Sequence, residues 1–264
     1  MPLPLFNVDG ERARAFVLAH AGSRDQARLA GIFAGARPER EVVKALEALQ
    51  NPDGGFPLVQ QPGNPSSIDT TCYMLSVLKD MPPLAGSPMA SRAVAFLRRN
   101  QQPDGSWRES PEVATMSPFW TAQSDPKATA YVTANATYTI FTLAPEHMDP
   151  IGRAVRWLRE AVNADDAYTQ TLALAWAVLY RLDGPNRELF AQLEQRNLDA
   201  PALGWWLTCA LEVGAGGPFL LPLAQQLDKL ALRQRADGAW PAEEGFETES
   251  TLTALRVFRG YGVL

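Results

Sequence analysis

The sequence predicts an all-α fold of six helical hairpins closed into a double-layered (α/α)6 barrel, with residues 1–264 forming one domain. Three observations carry that reading: a recurring motif, the spacing of its copies, and a contrast between amphipathic and apolar segments within each copy. The copies are ALEALQNPDGGF (45–56), FLRRNQQPDGSW (96–107) and LALRQRADGAW (230–240). Counted back from the closing aromatics Phe56, Trp107 and Trp240, an Asp-Gly pair, a Gln and a Leu fall at the same offsets in each. Gln50 and Gln101 are 51 residues apart, and Gln101 and Gln234 are 133 apart, three intervals of about 44, so two degenerate copies belong between them. Six pairs across 264 residues also average 44 each, within the roughly 40–47 typical of helix-pair repeats.

The first pair, 12–20 and 24–33, lacks the motif. In the second, Val42, Ala45, Leu46 and Leu49 share one helical face. The chain then breaks at Asp53-Gly54, where Asp supports a turn and Gly takes positive φ cheaply, and an apolar helix follows over 68–78. The third pair repeats this with Val94 and Leu97, a break at Asp104-Gly105 and a helix over 128–143. The fourth places Val155 and Leu158 on one face ahead of a helix over 169–182, and the fifth is 187–196 followed by 202–213. The sixth breaks at Asp237-Gly238 and continues over 248–258. The second helices are the more apolar and suit an inner ring, whereas the first carry Arg and Glu outward. The loops 57–67, 108–127 and 241–247 all run from a first helix into a second, so they share one end of the barrel. That end should hold a site.

Hydrophobic residues at 46% and charged residues at 20% give ample material for a core and exclude a disordered chain. The net charge is −5 with no Lys/Arg tract, which argues against nucleic acid as a partner, because phosphate neutralisation needs clustered cations. The longest apolar stretch, 172–180, is far short of the roughly 20 residues of a spanning helix. The N-terminus, MPLPLFNVDGERARAF, lacks the basic-then-apolar layout of a signal peptide. Two cysteines, Cys72 and Cys209, suit a reducing compartment. A cytoplasmic protein is therefore expected, with any membrane association limited to peripheral contact through PFLLPLAQQL (218–227). The two histidines, His20 and His147, lie outside the loops at the presumed mouth, so neither a zinc site nor a cofactor is expected.

The Q-x-x-D-G-x-W/F pattern after a Leu-bearing helix resembles the QW repeats of squalene-hopene and oxidosqualene cyclases, and the related repeats of protein prenyltransferase β subunits. The resemblance covers most of the chain. It implies that Gln50, Gln101, Gln234, Phe56, Trp107 and Trp240 stack and tie each hairpin to the next helix, and so staple the barrel rather than line a site. The stretch GGFPLVQQPGNPSSIDTT (54–71) resembles the run of hopene-type cyclases from GGW into a D-x-D-D-T motif, with the central Asp at Asp69 and the Thr at Thr71. Ser67 and Thr70 stand where the other two carboxylates would be, and Ser67-Ile68-Asp69-Thr70-Thr71 is closer to the V-S-D-C-T of oxidosqualene cyclases.

The resemblance thus makes Asp69 the candidate catalytic acid. Protonating an alkene or epoxide takes a carboxylic acid kept protonated and aimed into a dry cavity. The same position equally suits a plain helix N-cap, where the helix dipole would lower the carboxyl pKa. In terpene cyclases, cavity aromatics stabilise carbocations by cation–π attraction. The candidate substrate-binding residues are therefore Tyr73, Tyr131, Asn135, Tyr138, Trp176 and Trp205, although aromatics of an inner ring also serve as ordinary core. Tyr131, Asn135 and Tyr138 share one helical face. Glu249, the sixth-repeat counterpart of Asp69, joins them at the mouth as a neighbour able to raise the Asp69 pKa. The replaced carboxylates favour epoxide or otherwise activated substrates over simple alkenes.

Other constellations point elsewhere. Thr70-Thr71-Cys72-Tyr73-Met74-Leu75-Ser76 resembles the H-T-C-Y-x-L-S of the prenyltransferase β subunits, with Thr70 in place of the zinc-binding His. Asp165-Asp166 invites a diphosphate–magnesium reading, but Thr169 stands where a D-D-x-x-D pattern has its third carboxylate. Glu243, Glu244, Glu247 and Glu249 form an acidic loop, and paired carboxylates on an α/α barrel can serve glycoside hydrolysis. The leading expectation is a terpene-cyclase-like protein that binds a lipophilic isoprenoid or polyene. The alternatives are a non-catalytic lipid- or protein-binding barrel and a carbohydrate-active or prenyl-transferring one. Hopene-type cyclases pair two barrels around the site, so a lone barrel implies either a homodimer or a smaller substrate.

Overall fold

The computed structural model describes residues 6–116, 119–122, 125–162 and 167–264. Within them the fold is all-α. In chain order the helices are α1 (Gly10–His20), α2 (Ser23–Ala34), α3 (Arg40–Leu49), α4 (Ile68–Lys79), α5 (Pro82–Ala85), α6 (Pro88–Arg99), α7 (Pro111–Ala114), α8 (Pro126–Leu143), α9 (Met148–Ala161), α10 (Thr169–Asp183), α11 (Arg187–Gln195), α12 (Ala200–Glu212), α13 (Leu220–Ala231) and α14 (Glu247–Gly260). The sequence-predicted pairs correspond to α1/α2, α3/α4, α6/α8, α9/α10, α11/α12 and α13/α14. The single-turn helices α5 and α7 add to that pattern, as does a two-residue antiparallel pairing of Phe56–Pro57 with Ser66–Ser67.

Burial sorts the helices into two layers. On α3 only Val42 and Leu46 are buried, the stripe of a helix with one apolar face, whereas α8 is buried from Ala128 to Ile140 and α10 from Thr171 to Leu179. The second helices pack side by side: α4 on α8, α8 on α10, α10 on α12, α12 on α14, and α14 on α2. Arg28 of α2 reaches Asp80 at the end of α4, which links those two. Of the first helices, α6 lies on α4, α9 on α8, α11 on α10, α13 on α12 and α1 on α14, each on the second helix of the preceding pair.

The motif residues make these joins, with a division of labour. The Gln amides span between pairs. Nε2 of Gln50 donates to Gly54 O (2.8 Å) and Met89 O (3.0 Å), Nε2 of Gln101 to Gly105 O (3.0 Å) and Pro150 O (2.8 Å), and Nε2 of Gln234 to Gly238 O (3.1 Å) and Asp9 O (3.0 Å). Each Gln therefore ties the end of one first helix to the start of the next, and Gln234 ties the last to the first. The aromatics act within their own pair. The indoles of Trp107 and Trp240 donate to the Leu97 and Leu230 carbonyls, both at 2.7 Å. The backbone N–H groups of Phe56, Trp107 and Trp240 donate to the hydroxyls of Thr71, Thr133 and Thr251 on the following second helix. Gly54, Gly105 and Gly238 have φ of 89°, 96° and 93°, and a Cβ on any of them would come within 2.7 Å of the next first helix's backbone. Only glycine meets both conditions.

Trp240 is fully buried and holds α13 to α14. Trp240→Ala is expected to lower unfolding free energy by about 3–5 kcal/mol, as for large-to-small core changes, in a denaturant titration. A loss below about 1 kcal/mol would remove its stapling role.

Candidate active site

The second helices carry polar residues on the faces they turn toward one another. On α4, Asp69, Tyr73, Ser76 and Lys79 are partly exposed while their neighbours are buried, at the spacing of one helical face. Tyr131, Asn135 and Tyr138 form the facing stripe of α8; Trp205, Thr208 and Glu212 that of α12; Glu249, Thr253 and Arg256 that of α14. Asp69 and Lys79, ten residues apart on α4, stand about 15 Å apart along the helix axis, so the polar contacts fall at successive depths.

At the loop end is Asp69. Its Oδ1 accepts from the Tyr131 hydroxyl at 2.8 Å and the Asn135 amide at 3.1 Å, and Trp120 of the 119–121 turn also hydrogen-bonds the carboxyl. Burial raises the Asp69 pKa, and these three donors oppose but do not cancel that rise. The N-cap of α4 is Ser67, with extended backbone (φ −106°, ψ 141°) and a side-chain oxygen accepting from Thr70 N at 3.1 Å. The cap role that Asp69's position suits belongs to Ser67, and the Asp69 carboxyl turns to α8 instead.

Beside it lies Glu109, a residue without a motif to mark it in the sequence. Its Oε1 accepts from Ser67 Oγ (2.7 Å) and Asp69 N (2.9 Å), and its Oε2 from Ile68 N (2.9 Å). Glu109 is 2% exposed. Burial pushes its carboxyl up to about 7; the three donors pull it down, and the charge of Asp69 adds to the rise.

One turn deeper, Tyr73 donates to Glu249 Oε2 at 2.9 Å, and Glu249 takes a bidentate pair from the fully buried guanidinium of Arg28. Burial works against the Glu249 charge, and the Arg28 cation outweighs it, holding the carboxyl at about 2. Glu249 is thus committed to Arg28, which accounts for its low pKa; the expected role of raising the Asp69 pKa falls to burial. At the far end Tyr138 donates to Glu212, which also pairs with Lys79, and Asp80 pairs with both Arg28 and Arg256. Arg28, Asp80, Arg256 and Glu109 carry no local sequence signal beyond a charge on an otherwise apolar helix or loop.

Of the other sequence-nominated residues, Trp205 is partly buried on the polar face of α12. Trp176 is elsewhere. Its ring sits 5.4–5.6 Å from those of Phe190, Phe219 and Tyr180, fully buried between α10 and the outer layer, so it packs the layers together rather than meeting Asp69. Asp165-Asp166 lie outside the described residues. Glu243 and Glu244 are exposed, and Glu247 accepts from Gly245 N. Among the described residues no cluster of three or more His, Cys, Asp or Glu side chains is arranged to hold a metal, and no helix is long and apolar enough to cross a membrane. Leu220 and Leu221, at the start of α13, are exposed at 61% and 57%.

No protein-family model matches the chain. A drimenyl diphosphate synthase from Streptantibioticus cattleyicolor is 40% identical over 76 residues, which span 27% of this chain and only 14% of that relative. Over its full length the chain is similar to solved structures. A type II terpene cyclase, MstE from Scytonema, in complex with geranylgeranyl dihydroxybenzoate as substrate, superposes with a TM-score of 0.61 at 15% identity, over 97% of both chains. A protein from Actinoplanes superposes with a TM-score of 0.60 at 18% identity, over 96% of this chain and 98% of that one. The fold is that of the type II terpene cyclases.

Proposed function

We propose that this chain, with the fold of a type II terpene cyclase, is a single-domain (α/α)6 barrel that cyclises a prenylated or polyene substrate by protonation from Asp69. The observation that carries the reading is the Asp69 carboxyl, raised in pKa by burial and fixed through Oδ1 by Tyr131 and Asn135. In the neutral acid one carboxyl oxygen of Asp69 carries the proton. Transfer breaks that O–H bond and forms a C–H bond at the terminal double bond of the substrate, or an O–H bond at an epoxide oxygen. The cation left behind is attacked in turn by the next π pair, closing a ring. Loss of a proton from the last cation ends the sequence, and Asp69 regains a proton from solvent, so the net reaction on an alkene is an isomerisation.

Tyr73, Tyr131, Tyr138 and Trp205 supply π faces for the developing cation, while Trp176 contributes packing. A solved cyclase of nearly the same length is in complex with a geranylgeranyl compound, which supports a substrate of that size for this barrel. Leu220 and Leu221 offer an apolar contact to the lipid surface from which such a substrate is drawn. The test is incubation with geranylgeranyl- and farnesyl-bearing phenolic acids and their terminal epoxides, followed by chromatography, mass and NMR analysis. A product of the substrate's mass with fewer carbon–carbon double bonds is expected. Recovery of every substrate unchanged would overturn the reading.

A further inference from the structure

We infer that Trp120 is a positioning residue of the acid: its indole N–H holds the Asp69 carboxyl from the loop side, alongside the α8 donors, and stabilises the carboxylate that forms when the proton leaves. The use in catalysis rests on the reading of Asp69 as the acid; the contact itself does not.

A fully buried indole must find an acceptor inside the protein or lose a hydrogen bond on folding. Trp120 is under no such constraint, since it is 39% exposed and water can take its N–H. The indole bonds the Asp69 carboxyl instead. The contact therefore serves Asp69 more than it serves Trp120. Residues Phe119–Thr121 make a single tight turn that packs against α8, with Thr121 buried beneath it. The carboxyl is thus bonded from two elements, by Tyr131 and Asn135 of α8 and by Trp120 of the loop. A carboxyl on a rotatable arm needs such separate anchors if its direction is to be fixed.

The three side chains that bond the carboxyl differ in kind. Tyr131 and Asn135 each carry an oxygen that can accept as well as a group that donates, whereas an indole can only donate. Its bond is stronger to a carboxylate than to a neutral acid. Proton transfer from Asp69 turns the second into the first, and a donor already in place stabilises the charge as it develops, without having to reorient. The remaining neighbours are Cys72 on the same helix and Glu109 from the loop after Trp107, whose Oε1 takes the Asp69 N–H. Burial favours the protonated acid and Trp120 favours the anion. The first loads the site with a proton, and the second eases its release.

NMR titration of the whole protein, following side-chain carboxyl and indole N–H signals, tests this without a substrate. The Trp120 indole signal is expected to move with pH at the midpoint of the Asp69 carboxyl, and to lose that movement in Asp69→Asn. In Trp120→Phe, which keeps an aromatic ring and removes the donor, the Asp69 midpoint is expected to rise by on the order of one pH unit, the size of one hydrogen bond to the charged form. An Asp69 midpoint that stays put or falls in Trp120→Phe would overturn the inference. An indole signal that ignores the Asp69 titration, or still moves in Asp69→Asn, overturns it as well. Should Trp120→Phe not fold, the indole signals of the parent and of Asp69→Asn decide alone. Turnover enters none of these measurements, so a failed cyclase assay and a failed contact are separate results.

Discussion

Replacing Asp69 by Asn is expected to reduce turnover of a prenylated substrate by at least the roughly 10²–10⁴-fold that a positioned acid contributes, with the thermal midpoint nearly unchanged. The two halves of that expectation come from different contacts. Activity is lost because an amide has no proton of useful acidity to give. Stability is kept because α4 is capped by Ser67 and its first amides are held by Glu109, so the introduced amide carries no part of the helix start. Its carbonyl oxygen can still accept from Tyr131, and the substitution removes a carboxyl that burial disfavours in its charged form. The acid must be protonated to act, so parent activity is expected to decline as pH rises through the raised Asp69 pKa. Ser67→Ala is the contrasting change, costing about 1 kcal/mol of stability as a lost cap. Product formation measured beside a thermal melt separates the roles, and activity retained in Asp69→Asn removes Asp69 as the acid.

The pairing of helices is legible because it is written locally. The Asp-Gly-aromatic break and the apolar stripes sit within a dozen residues of each other, and the boundaries read from them fall within about two residues of α4, α8, α10, α12 and α14. Asp69, Tyr131 and Asn135 are nominated by separate signals and meet through hydrogen bonds spanning 62 and 66 positions in the chain. What the sequence does not carry is which way a uniformly apolar helix faces. α10 is buried on every side from Thr171 to Leu179, so nothing in its pattern shows that Trp176 points to the outer layer. Nor does spacing decide between Ser67 and Asp69 as the cap, since both residue types cap helices and only the extended backbone at Ser67 settles it. Glu109 and Arg28 escape a local reading because their partners are distant in sequence. Glu109 bonds residues about 40 positions away, and Arg28 bonds Glu249 across 221.

Arg28 marks the second large effect. Its guanidinium is fully buried and bonds Asp80 Oδ2 at 2.9 Å, Asp25 Oδ1 at 3.1 Å and both oxygens of Glu249, joining α2, α4 and α14. Burial works to lower its pKa, and the Glu249 and Asp80 carboxylates more than offset that, so the net shift is upward. Arg28→Met keeps much of the volume and removes the cation. Asp80 retains its pairing with Arg256, whereas Glu249 loses its bidentate partner and keeps the Tyr73 hydroxyl. Removing one partner of a buried pair typically costs about 3–5 kcal/mol, which in a chain of this size lowers the thermal midpoint by on the order of 10 °C. The pH dependence has a definite sign. The Glu249 carboxyl sits at about 2 in the fold against roughly 4.3 unfolded. Its pairing therefore contributes fully above about pH 4.3 and is lost as pH falls toward 2. The gap between parent and Arg28→Met should be widest near neutrality and should narrow below about pH 4. Adding Glu249→Gln to Arg28→Met should recover part of the loss, because it removes the stranded charge. Melts from pH 3 to 7 decide the matter: a gap of only a degree or two, or one that stays constant down to pH 3, would mean that the Arg28–Glu249 pair does not hold these helices together.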